Sequence, residues 1–202
     1  MARYTGPRLR ISRRLRTPIF GPSKYLERKD YPPGQHGQSR RRKATDYAMA
    51  LAEKQKMRYY YGLMEKQFRG VYKKAIRRRG VTGEIMLQIL ETRLDSVVFS
   101  LGFGYTRAQA RQMVTHGHVL VNGKRAHTPS IALNENDAVE IKPVEKSRHL
   151  ADKNLEYSTS RIVPEWLELD KGAYKGTLKR MPTREDVEPI ANEQTIVEFY
   201  SR

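Results

Sequence analysis

The side chains able to do chemistry in this chain are overwhelmingly cationic, and they fall into three groups. Arg3, Arg8, Arg10, Arg13 and Arg14 are followed by the run Arg40-Arg41-Arg42-Lys43. Lys66, Arg69, Lys73 and Arg77 recur every three or four residues. Arg107 and Arg111 stand four apart, and His118, Lys124 and Arg125 flank the dipeptide Asn122-Gly123. Such groups neutralise and hydrogen-bond phosphate oxygens, offsetting the repulsion of a polyanion's own backbone. Groups for bond-breaking are missing or badly spaced. There is no cysteine, which excludes disulfides, zinc-thiolate sites and thiol catalysis. His36, His116, His118, His127 and His149 form no His-x-x-x-His or His-Glu-x-x-His metal pattern. Phosphate-binding loops of the Gly-x-x-x-x-Gly-Lys type and Gly-x-Ser-x-Gly elbows are absent, and Gly102-x-Gly104 reads as a turn. No catalytic residue, no metal, no cofactor and no small-molecule substrate is expected.

The elements that must position these cations centre on residues 91–142. Met86, Ile89, Leu90, Leu94, Val97, Val98 and Leu101 recur at helical spacing and stop before Gly102. Thr106-Arg107-Ala108-Gln109 is a capping-box sequence that opens a second helix, with Ala110, Met113 and Val114 on one face and Gly117 as its stop. Val119 to Val121, Asn122-Gly123 and Lys124-Arg125 read as a hairpin, because both turn residues must tolerate positive φ. A last strand, Ala138 to Lys142, alternates apolar and charged residues. The predicted class is α+β, with helix, helix and β-hairpin forming a small module inserted in a helical domain.

Upstream, Thr45-Asp46 is a helix N-cap pair. Tyr60, Met64, Phe68, Val71 and Ala75 define an apolar stripe, with Lys66, Arg69, Lys73 and Arg77 on the opposite face. Arg77-Arg78-Arg79 ends that helix, where cations also suit the helix dipole. Before it, breakers at Gly6-Pro7, Pro18, Gly21-Pro22, Pro32-Pro33-Gly34 and Gly37 predict an extended basic arm. Residues 1–43 hold 13 Lys/Arg against 2 Asp/Glu, residues 44–93 hold 11 against 5, and residues 94–202 hold 15 of each. The net charge of +17 thus lies in the first half, a field that attracts polyanions. No apolar run approaches the ~20 residues of a membrane span. The boundaries read from these shifts are an arm over 1–43, a helical domain over 44–92 completed by 171–202, and the module with its linker over 93–170. Trp166 reads as a packing anchor, Glu185 to Glu188 as a solvated face or protein contact, and Thr195 to Tyr200 as a strand or a buried helix turn.

The stretch from Arg93 to Lys124, RLDSVVFSLGF followed by YTRAQARQMVTHGHVLVNGK, resembles the RNA-binding module named after the fourth ribosomal protein of the small subunit. With MARYTGPRLR, YPPGQHGQ, DYAMALAEKQKMRYYYGLMEKQF, PEWLELD, GTLKRMPTRED and EQTIVEFYSR, the whole chain is similar to the bacterial form of that ribosomal protein family. The resemblance implies a structural protein that binds small-subunit ribosomal RNA at a multi-helix junction, nucleates assembly of the subunit body and influences decoding accuracy. It also implies neighbouring small-subunit proteins, including the fifth, contact with messenger RNA in some members, and a cytoplasmic ribosome. It supports Arg107, Arg111, His118, Asn122, Lys124 and Arg125 as the module's RNA surface. For His118, a helix-end cation role stays equally open. Some members hold zinc through cysteines in the arm; this chain has none, so no metal is carried over. Pseudouridine synthases sharing the module use the Asp of an Arg-Leu-Asp motif as nucleophile. Here Arg93-Leu94-Asp95 lies in an apolar helix, so Asp95 is expected to be structural and paired with an arginine.

Overall fold

Two interruptions set the helical layout. Gly62 takes φ +63 and stops a first helix, α3 (Asp46–Tyr60), before a second, α4 (Glu65–Ile76), can begin. The stripe from Tyr60 to Ala75 therefore belongs to two helices, not one. Likewise the helical run from Met86 to Leu101 is split into α5 (Thr82–Glu91) and α6 (Leu94–Ser100). Arg93 is extended, with ψ 140, and pairs with Ala132 as an isolated bridge. The Leu94 and Asp95 N–H groups donate to the carbonyls of Ile131 (2.9 Å) and Pro129 (3.2 Å). A crossing strand-like segment thus captures donors that helix continuation would have used.

The computed structural model describes residues 4–39, 43–159 and 161–201. The chain divides into two units: Met1–Gly83 with Pro189–Arg202, and Glu84–Glu188. In the first, the breaker-rich segment is not fully extended. It contains α1 (Arg8–Leu15) and α2 (Lys24–Arg28), and Ile11 and Ile19 are buried. Thr45 caps α3 by accepting from the Ala48 N–H at 3.3 Å. Met57, Leu63, Phe68, Val71, Tyr72, Ala75 and Ile196 are buried in this unit. The C-terminal segment is helical, α9 (Glu193–Ser201), and its Tyr200 ring stacks on Tyr72 with centroids 4.8 Å apart. Lys54, almost fully buried, donates to Glu65 at 2.8 Å and lies 5.3 Å from the Phe199 ring centroid. Tyr200 Oη donates to the same carboxylate at 2.7 Å. Burial alone would raise the pKa of Glu65, but these hydrogen bonds and the charges of Lys54 and Arg58 outweigh it and bring it below the ordinary value.

The second unit is α+β. After α6 come α7 (Arg107–Thr115), β1 (Val119–Val121), β2 (Lys124–Ala126), β3 (Ala138–Ile141), α8 (Glu145–Tyr157), β4 (Leu167–Asp170) and β5 (Lys175–Leu178). The strands form one antiparallel sheet in the order β2-β1-β3-β5-β4. Asn122 (φ 49) and Gly123 (φ 75) make the β1–β2 turn. Leu94, Val97, Val98, Leu101, Phe103, Ala110, Met113, Val114, Val119, Val139, Ile141 and Trp166 form its core. Leu101 lies against Gly176, where any Cβ would overlap its side chain. The β4–β5 hairpin extends the sheet beyond the three strands the sequence suggested. Because β5 pairs with β3, Ala138 opposite Thr177 and Glu140 opposite Lys175, residues 171–188 pack in this unit and only 189–202 in the other. The N-terminal stretch of the first unit ends at Gly83. Among the described residues no helix is long and apolar enough to cross a membrane.

Candidate nucleic-acid interface

The cations of the first unit mostly face outward. On α4, Phe68, Val71, Tyr72 and Ala75 are buried while Lys66, Arg69 and Lys73, with Arg77 just past the helix, are exposed. This is the two-faced arrangement that the spacing predicts, and Lys74, Arg78 and Arg79, omitted from the sequence-predicted set, are exposed beside it. Arg8, Arg10, Arg14 and Lys43 are exposed, Arg8 lying 5.8 Å from the centroid of the Phe20 ring. Arg13 differs. It donates to the carbonyls of Tyr31 (3.0 Å) and Pro32 (3.2 Å) and sits 4.8 Å from the Tyr31 centroid. Its guanidinium braces the fold of this segment and is not offered outward as an arm clamp. Arg3, Arg40, Arg41 and Arg42 lie outside the described residues.

The module places its cations in two different environments. Asp95, 5% exposed, receives Arg93 Nε at 3.0 Å and Nη2 at 2.8 Å, and Arg111 Nη1 at 2.8 Å. Arg107 donates to Ser96 Oγ at 3.0 Å and to Glu91 at 3.3 Å, and lies 4.6 Å from the centroid of Phe99. These two arginines, expected on the RNA surface, have side chains only 14% and 12% exposed. They turn inward because Glu91 and Asp95 are buried carboxylates that would be costly without cationic partners. They knit α7 to α5 and α6, and Asp95 is structural, as its sequence setting implied.

The hairpin end is more open. Asn122 accepts from the Ala138 N–H at 2.8 Å and donates to Asp137 at 2.7 Å, which clamps the turn to β3. Lys124 and Arg125 are exposed. Arg125 donates to the carbonyls of Gly117 (3.2 Å) and His116 (3.4 Å), satisfying acceptors beyond the end of α7. The His118 ring is 2.9 Å from Ser147 Oγ. Burial, together with the charges of His116, Arg125 and Lys142, lowers the His118 pKa. Lys142 completes this cationic cluster. It escaped sequence reasoning because strand pairing, not proximity in the chain, sets its N–H 2.8 Å from the His118 carbonyl.

The capping box is present with one difference. Thr106 Oγ1 accepts from the Gln109 N–H at 3.2 Å, but Gln109 Oε1 accepts from the N–H of Tyr105, one residue earlier, at 3.1 Å.

Residues 3–91 match the family model for the ribosomal protein S4/S9 N-terminal domain, and residues 92–139 match that for the S4 domain. The β4–β5 hairpin and α8 lie outside both matched ranges. The chain is 53% identical over 202 residues to small ribosomal subunit protein uS4 of Opitutus terrae, covering 100% of both chains. It is 50% identical over 203 residues to uS4 of Akkermansia muciniphila and 48% over 202 residues to that of Salinibacter ruber, again with 100% of both chains covered. The chain therefore belongs to the uS4 family of small ribosomal subunit proteins, a structural family and not one of enzymes.

Proposed function

We propose that this chain binds small-subunit ribosomal RNA as an early structural component of the subunit body, at a junction where several RNA helices converge, in the cytoplasm. The observation that carries this reading is the partition of charge. Met1–Gly83 with Pro189–Arg202 hold 24 Lys/Arg against 7 Asp/Glu, and Glu84–Glu188 hold 15 of each. The first unit supplies a sequence-independent attraction for packed phosphates. The second adds local contacts through His118, Lys124, Arg125 and Lys142, while Arg107 and Arg111 position the helix that carries this end. Holding converging helices together is the physical basis for nucleating assembly. Contact with the fifth small-subunit protein and with messenger RNA, and an effect on decoding accuracy, are carried from the family resemblance. A basic arm over 1–43 that contacts RNA completes the proposal.

Salt titration of binding to small-subunit RNA tests it. If 8–10 phosphates are neutralised, log affinity falls with log salt at a slope of about −7 to −9. Replacing Lys66, Arg69, Lys73 and Arg77 by alanine reduces that slope by about 3. A slope near zero in the intact chain, or no RNA footprint, sinks the reading.

A further inference from the structure

The helix α8 carries a feature that none of these cation groups uses. Lys146, His149, Lys153 and Tyr157 follow one another at steps of three and four, and all are exposed. They line one flank of the helix, and Lys146 to Tyr157 spans ~16 Å at the helical rise. The acids lie beside this flank, and Glu145 and Asp152, within one turn of His149, share a shallow pocket with it and Arg148; Asp152 also bonds Tyr174, whose ring centroid is 5.3 Å from Arg148.

At the far end of the cationic flank, Tyr157 meets Tyr105, with ring centroids 5.8 Å apart and planes at 58°. The two are 61% and 52% exposed, much surface for paired aromatic side chains to leave in water. Their supports are fixed from beneath. Asn154, 3% exposed, donates to the Phe103 carbonyl at 2.8 Å and accepts from Gln109 Nε2 at 2.9 Å. Gln109 also accepts from the Tyr105 N–H at 3.1 Å. Arg161 donates to the carbonyls of Phe99, Gly104 and Tyr105 at 3.0, 3.4 and 3.1 Å. The backbone at Tyr105 and the last turn of α8 are thus pinned together, while the rings above them stay open.

We propose that this flank of α8, closed by the Tyr105–Tyr157 pair, binds a segment of single-stranded RNA. Lys146 and Lys153 take phosphates of the strand, and the tyrosines stack on an unpaired base. A line of cations leading to an exposed aromatic platform is the combination that tracks an unpaired strand. A protein partner would favour an apolar centre with a polar rim, and this flank is polar for most of its length. The proposal rests on the RNA-binding reading above but uses none of its contact residues.

The test uses the full-length chain with a fluorescent six-nucleotide oligoadenylate and, separately, small-subunit RNA. Tyr105→Ala with Tyr157→Ala is expected to weaken oligoadenylate binding about tenfold or more, with the salt slope unchanged. The double Phe variant retains affinity, because it keeps both rings. Lys146→Ala with Lys153→Ala is expected to reduce the magnitude of the slope by about 1.4. Circular dichroism confirms that each variant folds. Wild-type affinity and slope in both alanine variants would overturn the proposal. So would unchanged oligoadenylate binding with lost association to a neighbouring subunit protein, which makes the flank a protein contact. Failure here with strong salt-dependent binding of small-subunit RNA leaves the broader function standing; loss of RNA binding by the unaltered chain overturns both.

Discussion

Arg111 reaches across from α7 to Asp95 on α6, its Nη1 2.8 Å from Oδ2, the same oxygen that Arg93 Nη2 contacts at 2.8 Å. One carboxylate holds two guanidinium groups, and the three side chains are almost closed to solvent. Removing the negative charge would leave two buried cations facing each other. Asp95→Asn is therefore expected to destabilise the chain by about 3 kcal/mol. Urea denaturation followed by circular dichroism reads this directly, and an unchanged midpoint would show that solvent screens the cluster. RNA affinity of the folded variant stays near wild type, because Asp95 is a support and no contact.

Acid sensitivity has two separate sources. The Glu65 pKa is lowered from 4.5, and the Arg180 guanidinium beside Asp186, aided by Thr183, holds that carboxyl well below its ordinary 3.8. In both cases the unfolded chain binds the proton more readily. The stability they contribute is present above those ordinary values and is lost as pH falls through the lower folded ones. Asp186→Asn should lower stability at neutral pH and flatten its fall below pH 3.8. Urea midpoints at about pH 3 and pH 6 give the comparison; equal steepness in variant and parent would refute the assignment.

At the alkaline end Tyr200 behaves in the opposite sense. Burial, then its hydrogen bond to Glu65 and that carboxylate's charge, raise its pKa above 10.0. Its contribution is complete below 10.0 and fades as pH climbs through the folded value. Tyr200→Phe keeps the stack on Tyr72 and removes the ionisable group. The variant should lose less stability than wild type between about pH 9 and pH 11, measured as the shift in thermal midpoint.

Under the proposed RNA contact at the hairpin end, His118 couples protons to binding. Burial and the charges of His116, Arg125 and Lys142 disfavour its cation in the free chain. Phosphates at this cluster would offset those positive charges, so binding would take up a proton. Affinity for small-subunit RNA should rise from about pH 7.5 to pH 5.5, by up to tenfold per unit of pKa change. His118→Gln is expected to remove most of that dependence. An identical pH profile in the variant would place the cluster away from phosphate.

Gly176 offers a purely steric check. Its place opposite Val139 in the sheet leaves no room for a Cβ beside Leu101. Gly176→Val should cost about 1–3 kcal/mol, and adding Leu101→Ala should recover part of the loss. A variant as stable as wild type would mean that the sheet yields without strain.

Much of this was legible in the residues. Helical periodicity located α4 and its buried and basic faces, Asn122-Gly123 located the hairpin turn, and Thr106 located the start of α7. What local pattern could not convey was tertiary. The break at Arg93 arises from a segment nearly forty residues away, through Ala132. The β4–β5 hairpin is short: Leu167 to Asp170 alternates over only four residues, and β5 (Lys175–Leu178) carries Gly176 and no such alternation. Arg107 and Arg111 look outward by helical spacing, yet partners on α5 and α6 draw them inward. Arg13 likewise has carbonyl acceptors eighteen and nineteen positions away. A cation's sequence position shows its charge; only its neighbours show whether that charge is already engaged.

The unequal sharing of charge between the units also orders events in time. A polyanion at a distance pulls on residues 1–83 and scarcely on 84–188, whose charges cancel. First encounter therefore belongs to the cationic unit, and the balanced one joins later, at close range. Added salt should slow the first step far more than the second, so the balanced unit can discriminate among sites that its companion has already captured.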